Sequence, residues 1–559
     1  MDKKELIYVT YSPSESIISC QITPSLTVPK PYDSCQPFES GFVQERSNMT
    51  TQSCLLIVML MYLIAMLFVG ITCSKKNANV DDFYLGGRKL GPFVTAMSAE
   101  ASDMSSWLLM GLPGVAYLTG IADATWTAIG LAIGTYLNWL IVAKRIRRYS
   151  QSLNAITIPD YFAKRYQDDK NVLTLIASII IIVFFIPYAA SGFAACGKLF
   201  HSLFGINYLL AMLLSAAIIV AYCTLGGFLA ASTTDLIQSI VMTIALFVVI
   251  IFGASVTNGF GSIITNAKKL PGYLSLTQSY SSDTNSSSPY GIITICSTLA
   301  WGLGYFGMPH ILLRFMAIKD ARKLTLSRRV ASIWVVISLT VAVFIGVLGY
   351  SMSKVGAIPV LEGSGNAETI IVKIAHLLST YGYLPAIIAG LILAGILAAT
   401  MSTADSQLLA AASAVSQNIF QDVFHIKLSE KAAVRIARSS VIIIAFISIF
   451  IAKDPNSSVF EIVSFAWAGF GATFGPVVIF SLFWSRSNKE GAIAGMVTGG
   501  IMIFVWKYLI RPLGGVFNIY ELLPAFILAC LVNVIVSLLT KAPSKEIINQ
   551  FEEVKQMRD

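Results

Sequence analysis

Two carboxylates, Glu100 and Asp103, stand inside the apolar stretch Ala96–Gly114, AMSAEASDMSSWLLMGLPG. A carboxylate at membrane depth costs several kcal/mol and is tolerated where it faces a protein interior or a water-filled path. Gly111, Pro113 and Gly114 interrupt the same stretch. Backbone released from a helix survives in a membrane only where it is buried in protein or lines a cavity. Together these features point to a ligand site at membrane depth, of the kind a transporter needs. A second stretch, Leu393–Gln407 (LAGILAATMSTADSQ), supplies hydroxyls. Ala399, Ser402 and Thr403 stand at i, i+3 and i+4, so one carbonyl and two hydroxyls can share a helix face. Sodium is a hard cation and takes several oxygens. The carbonyls of Ala101 and Met104, also three apart, would complete a set of five. The competing reading is that the hydroxyls bond back to their own helix or join neighbouring helices. Asp103 either offsets the charge of an ion bound nearby or is a structural acid held by Ser105 or Ser106. Glu100 is either buried beside that site or reaches past it.

Four aromatics could surround an organic solute: Trp107, Tyr188, Trp301 and Tyr305. Trp and Tyr rings cover apolar surface and attract a cationic amine, while free N–H groups at a broken helix hold a carboxylate. Belt or packing roles are the alternative. Trp301 and Tyr305 fall in a second interrupted stretch, Ser297–Phe315, where Gly302, Gly304, Gly307 and Pro309 crowd into roughly two helical turns and argue for a broken helix. His310 supports that break rather than catalysis. Asp235, in TLGGFLAASTTDLIQ, is expected at a helix start with Thr233 or Thr234 as caps, in a structural or gating role.

The elements that must hold these residues are membrane helices. The 559 residues are 55% hydrophobic and 12% charged, and apolar runs of roughly 20 residues span a bilayer as helix. Hydropathy predicts about thirteen spans, near 53–73, 93–119, 122–143, 171–200, 207–225, 232–255, 290–314, 329–351, 383–414, 433–452, 459–485, 490–510 and 521–540. Spans 2–6 and 7–11 form two sets of five with an interruption in the first member of each, the order expected of an inverted repeat. Basic residues cluster at Lys75–Lys76–Arg88–Lys89, at Lys144–Arg145–Arg147–Arg148, from Arg314 to Arg329, and from Lys427 to Arg438. All fall on one side, which makes that side cytoplasmic and puts the N-terminus outside and the C-terminus inside. The net charge of +9 therefore belongs to membrane topology, not to nucleic acid.

The expected organisation is a polar extension over 1–48, disordered or preceding a true start at Met49, a transporter domain over 49–540 and a cytoplasmic tail over 541–559. The loop 256–289, with its SYSSDTNSSSP run, is expected to be flexible and outside. Cys20 and Cys35, before the first span on the outer side, could form a disulfide.

Several long strings carry a resemblance: FYLGGRKLGPFVTAMSAEASDMSSWLLMGLPG, PDYFAKR, TLGGFLAASTTD, WGLGYFGMPHILLRFMA, ILAATMSTADSQLL and SFAWAGFGATFGPVVIFSLFWSR. From about Met49 to Ser544 the chain resembles the sodium:solute symporter family, closest to its bacterial proline-carrying branch. The resemblance implies an all-α polytopic membrane protein with the five-plus-five inverted-repeat fold, broken helices and thirteen spans, in the bacterial cell membrane. It implies sodium-driven import of L-proline by alternating access. The sodium ligands would be the carbonyls of Ala101, Met104 and Ala399 and the hydroxyls of Ser402 and Thr403. Asp103 would serve sodium coupling, Arg88 and Asp235 the inner gate and transport, and Trp107, Tyr188, Trp301, Tyr305 and Pro309 the proline. Met308 stands where that branch is expected to carry Gln, and Ser106 where it is expected to carry Gly, so another small amino acid or a carboxylate is the alternative solute.

Other classes fit less well. A channel needs selectivity elements repeated about an axis, and a solute sensor needs a signalling domain, while about 19 residues follow the last span. No HExxH, GxSxG or Cys/His cluster suggests an enzyme or a bound cofactor.

Overall fold

The structure, a computed structural model, describes residues 39–74, 80–427 and 429–557. The chain divides into Met1–Met49 and Thr50–Asp559. Of the first unit, residues 39–49 belong to the Glu39–Ser74 helix, so helix begins within the 1–48 segment expected as an extension. Cys20, Cys35 and the pair Lys75–Lys76 lie outside the described residues. The second unit carries everything that follows.

Among the described residues, ten helices are long and apolar enough to cross a bilayer, and the pair Ile292–Gly307 and Pro309–Ala317, bent by 47°, makes up to eleven if counted as one span. Two of the thirteen expected spans do not reach that length, and shorter helical pieces stand in their place. Residues 93–119 form Pro92–Asp103, a π turn over Trp107–Gly111 and Leu112–Thr119. Residues 207–225 belong to the long Tyr208–Val256 helix, which breaks at Gly227 (φ 64°, ψ −176°), a conformation only glycine adopts without strain. This break also corrects the reading of Asp235. It lies eight residues beyond Gly227, within the helix, and Thr233 and Thr234 bond back to Leu229 and Ala230 rather than capping.

Burial sorts the helices. The apolar stretch of Tyr383–Val423 is 72% buried and that of Val459–Phe483 78%, against 28% for Thr51–Thr72 and 22% for Lys489–Leu513. The first two are therefore the centre and the last two the lipid-facing rim, where Met61, Ile64 and Phe68 stand exposed. Local chemistry fixes the ends: Pro92 opens its helix after Gly91, Thr157 caps Ile158–Tyr166 through the Asp160 N–H, and Ser458 caps Val459–Phe483 through the Glu461 N–H.

The Ser-rich loop is more ordered than its composition suggests. Gln278–Ser281 pairs antiparallel with Ser286–Pro289. The hairpin is tied down where Trp126 Nε1 donates to the Leu276 carbonyl (2.8 Å) and the Tyr290 hydroxyl to Asp123 (2.7 Å). The tail also folds: Lys545–Gln556 is a helix with Ile547, Phe551 and Val554 buried, and the Phe551 ring lies 5.3 Å from the Arg165 guanidinium.

Candidate functional site

The first break stops the Pro92–Asp103 helix at Met104 (φ −77°, ψ 73°). Carbonyls of the last turn are thereby left without helical partners, and side chains collect on them. The Asp103 carbonyl accepts from Trp107 Nε1 (3.0 Å) and the Tyr188 hydroxyl (3.2 Å). The Ala101 carbonyl accepts from Ser402 Oγ (2.7 Å) and Thr403 Oγ1 (3.4 Å). Ser402 Oγ also lies 3.1 Å from the Ala399 carbonyl. Four of the five oxygens expected around an ion thus meet at one point between two helices, 301 residues apart in sequence. Met104, fully buried, sits at the break itself.

The second break contributes through side chains. Ala300–Gly307 winds as a 3-10 helix, Met308 is extended and Pro309 begins the next helix. The Tyr305 hydroxyl donates to Asp103 Oδ2 at 2.6 Å, so the partner of the acid is Tyr305 and neither Ser105 nor Ser106. Asp103 Oδ1 is buried with no partner. Trp301 lies 6.3 Å from Trp107 and from Trp467, ring centre to ring centre. Tyr188 packs against His310, which also meets Phe185. All five expected substrate residues are buried. Glycine is required here by contact: a Cβ on Gly304 would fall 2.0 Å from Trp467 Nε1, and one on Gly307 2.2 Å from the Phe470 carbonyl.

Glu100 is buried and turned toward the Ile121–Leu137 helix and its continuation. Its Oε1 accepts from Thr135 Oγ1 (2.9 Å) and Trp139 Nε1 (2.7 Å). Asn138, beside them, donates to the Tyr305 carbonyl (3.0 Å). One helix therefore holds both broken segments. Arg88 lies apart from this centre, donating to the carbonyls of Met316 (2.7 Å) and Ala155 (2.6 Å).

Asp235 belongs to a second polar cluster. Its Oδ2 accepts from Ser98 Oγ (2.6 Å) and Arg314 Nη2 (3.3 Å), and Arg314 also donates to Ser406 and to the His310 carbonyl. Arg314 is 1% exposed, an internal ion-pair partner and not one of a row of loop cations. Ser406 joins Asp405 to the same cluster at 3.0 Å. Sequence reasoning passed over Asp405. The signal was available, since it is an acid in an apolar helix two residues beyond Thr403.

Comparison with known proteins fits this arrangement. A sequence profile described as "Sodium:solute symporter family" matches residues 83–499. A sodium/proline symporter of Haemophilus influenzae is 41% identical over 506 residues, 89% of this chain and 97% of that protein. The chain belongs to the sodium:solute symporter family. Within it, the osmoregulated proline transporter OpuE of Bacillus subtilis is 40% identical, over 87% of this chain and 94% of its own length. A sodium/proline symporter of Escherichia coli is 39% identical over 89% of this chain and 96% of its own length. Among solved structures, a Na+-coupled sialic acid symporter in a substrate-bound outward-open state superposes with a TM-score of 0.72 at 18% identity, covering 88% of this chain and 99% of that one. A nucleobase-cation-symport-1 family transporter in a closed conformation superposes at 0.53, with 14% identity over 84% of this chain and 98% of that one. This family member is an all-α, multi-pass membrane transporter with the five-plus-five fold and broken helices, and not an enzyme.

Proposed function

We propose that the chain imports L-proline together with sodium by alternating access. The observation that carries the reading is the meeting of the Ala101 and Ala399 carbonyls with the Ser402 and Thr403 hydroxyls. Four neutral oxygens on two helices suit a desolvated monovalent cation, and the Met104 carbonyl is the proposed fifth. Asp103, held by Tyr305, lends negative charge from just outside this set. Trp107, Tyr188, Trp301, Tyr305 and Pro309 would line the proline site, and Arg88 and Asp235 serve the inner gate. Relatives named as sodium/proline symporters, 38–41% identical over about nine-tenths of this chain, support both solutes.

Sodium can couple the steps only through its different affinities for the outward- and inward-facing states. Each inward charge at about 100 mV adds roughly 2.3 kcal/mol of drive. The orientation proposed is the N-terminus outside and the C-terminus in the cytoplasm of a bacterial plasma membrane, with Lys144, Arg145 and Arg148 on the inner side; thirteen crossings would satisfy it. The neighbouring reading, another small zwitterion or carboxylate, draws on Met308 and Ser106.

Uptake of radiolabelled L-proline into proteoliposomes tests the reading. An inward sodium gradient is expected to drive accumulation in the wild type and to fail in Ser402→Ala/Thr403→Ala. Accumulation surviving in the double variant moves the ion site. Sodium-driven uptake of a different solute, with none of proline, replaces the substrate, and absence of sodium dependence for every solute ends the symport reading.

A further inference from the structure

A cavity of about 960 Å³ opens beside the end of the Ala143–Ser152 helix, which carries Lys144, Arg145 and Arg148. The Ile158–Tyr166 helix, the start of Val172–Phe204, the end of Tyr383–Val423 and the tail helix Lys545–Gln556 complete its walls. Although basic residues crowd the neighbouring helix, the cavity itself is acidic. Asp160, Asp168, Asp169, Asp422 and Glu546 line it, against Lys164 and His425. None of the residues of the ion and solute centre does.

The lysine is already committed, since Lys164 Nζ lies 3.0 Å from Asp160. Asp169 and Glu546, both exposed, and Asp422, half-buried, form no ion pair among the described residues. Like charges around one concave space draw cations into it. Exposed carboxylates are ordinarily satisfied by water, but two groups in this wall are not. Asp168 is 5% exposed and its Oδ1 takes no hydrogen bond, with the Lys489 ammonium standing off at 3.7 Å. Thr174, on the same wall, is 1% exposed and its hydroxyl has no partner. Buried polar atoms are nearly always paired, so orphaned oxygens in a cavity wall call for a partner from the cavity. That partner is not a chelated metal: no three His, Cys, Asp or Glu side chains among the described residues are placed to hold one. The charge is instead spread around a space of the size that takes a small molecule. An ammonium offers three donors and no acceptor. A flexible chain with an ammonium at each end answers acids on two walls together, and its methylenes lie along Leu153 and Ala163.

The geometry points to a binding site for an aliphatic diamine, one ammonium on Asp168, Asp169 and Thr174 and the other between Asp422 and Glu546. The site stands whichever solute the centre carries. Asp422 lies at the far end of the helix that offers Ser402 and Thr403 to the ion, and Glu546 belongs to the tail. An occupied site therefore fastens the tail to the end of the ion-site helix.

Calorimetric titration of putrescine into the full chain, held in nanodiscs of zwitterionic lipid, tests this. The wild type is expected to show one saturable site per chain, and Asp169→Asn/Glu546→Gln a Kd raised at least about tenfold. Both substituted positions are exposed, so the variant should elute as the wild type does on size exclusion. Asp283→Asn, an exposed acid in the turn of the distant hairpin, should bind as the wild type. Putrescine should raise the thermal midpoint of the wild type and not that of the double variant. Butylamine, with a single ammonium, should bind about tenfold more weakly. Absence of saturable binding to the wild type, or an unchanged Kd in the double variant, overturns the site. Magnesium displacing putrescine at equal concentration also overturns it, because the acids would then attract any cation alike.

Discussion

The two broken helices solve the same problem differently. The break after Asp103 exposes main-chain carbonyls, and partners from distant helices converge on them: Ser402 and Thr403 on Ala101, Trp107 and Tyr188 on Asp103. The break at Met308 is packed so closely that glycines touch Trp467 and the Phe470 backbone, and its contribution to the centre is a side chain, the Tyr305 hydroxyl. An ion site needs oxygens that can shift slightly as the ion comes and goes, whereas a pivot between helices needs a tight, unyielding contact. The first break is thus open along its main chain to side-chain partners, and the second is closed by contact.

Substitutions can break or sharpen this contrast. The largest effect is expected from Gly307→Ala, whose new Cβ would meet Phe470 backbone at 2.2 Å; overpacking of this kind costs about 3 kcal/mol or more, and folded protein on fluorescence size exclusion should nearly vanish. Gly91→Ala, with open space around its Cβ, should leave the profile unchanged. Equal yields would mean the second break is not a rigid contact.

Next comes Asp103→Asn, which keeps an acceptor for Tyr305 while removing the charge. The sodium concentration giving half-maximal uptake should rise about tenfold to a hundredfold, ~1.4–2.7 kcal/mol. An unchanged value would make Asp103 a holder of Tyr305 alone. Tyr305→Phe removes one hydrogen bond to a charged group, worth about 1.5–3 kcal/mol. A roughly tenfold rise in half-saturation is expected, less than additive with Asp103→Asn because the two residues touch. Additive effects would separate the two breaks.

The smallest effects concern the helix that holds both breaks. Glu100→Gln still accepts from Thr135 and Trp139 and should transport within about twofold of wild type. Glu100→Leu strands two buried donors at about 1–3 kcal/mol each, so its thermal midpoint should fall while sodium half-saturation moves less than about threefold. A sodium effect as large as that of Asp103→Asn would bring Glu100 into the ion site.

Much of the site was legible because membranes make polar residues conspicuous. Glu100 and Asp103 in an apolar run, the glycines before Pro309, and the i, i+3, i+4 set of Ala399, Ser402 and Thr403 each follow from local rules. Where the reading failed, the missing information was non-local. Arg314 counts as a loop cation until its partner Asp235, 79 residues away, is known. Asp235 looks like a helix start until Gly227 turns out to carry the break. The Ser-rich loop looks flexible until Trp126 and Asp123 anchor its hairpin.

The sequence by itself determined that this chain is a bundle of membrane helices with two interruptions and buried polar groups, because hydrocarbon tolerates little else and the lengths of apolar runs are set by bilayer thickness. The tertiary structure alone decided which groups meet: that Asp103 takes Tyr305 and not a neighbouring serine, that Glu100 faces Thr135 and Trp139, and that Arg314 pairs with Asp235. Helical periodicity places a side chain on a face but carries no information about which helix packs against that face. That choice belongs to the fit of whole helices, such as Gly304 against Trp467.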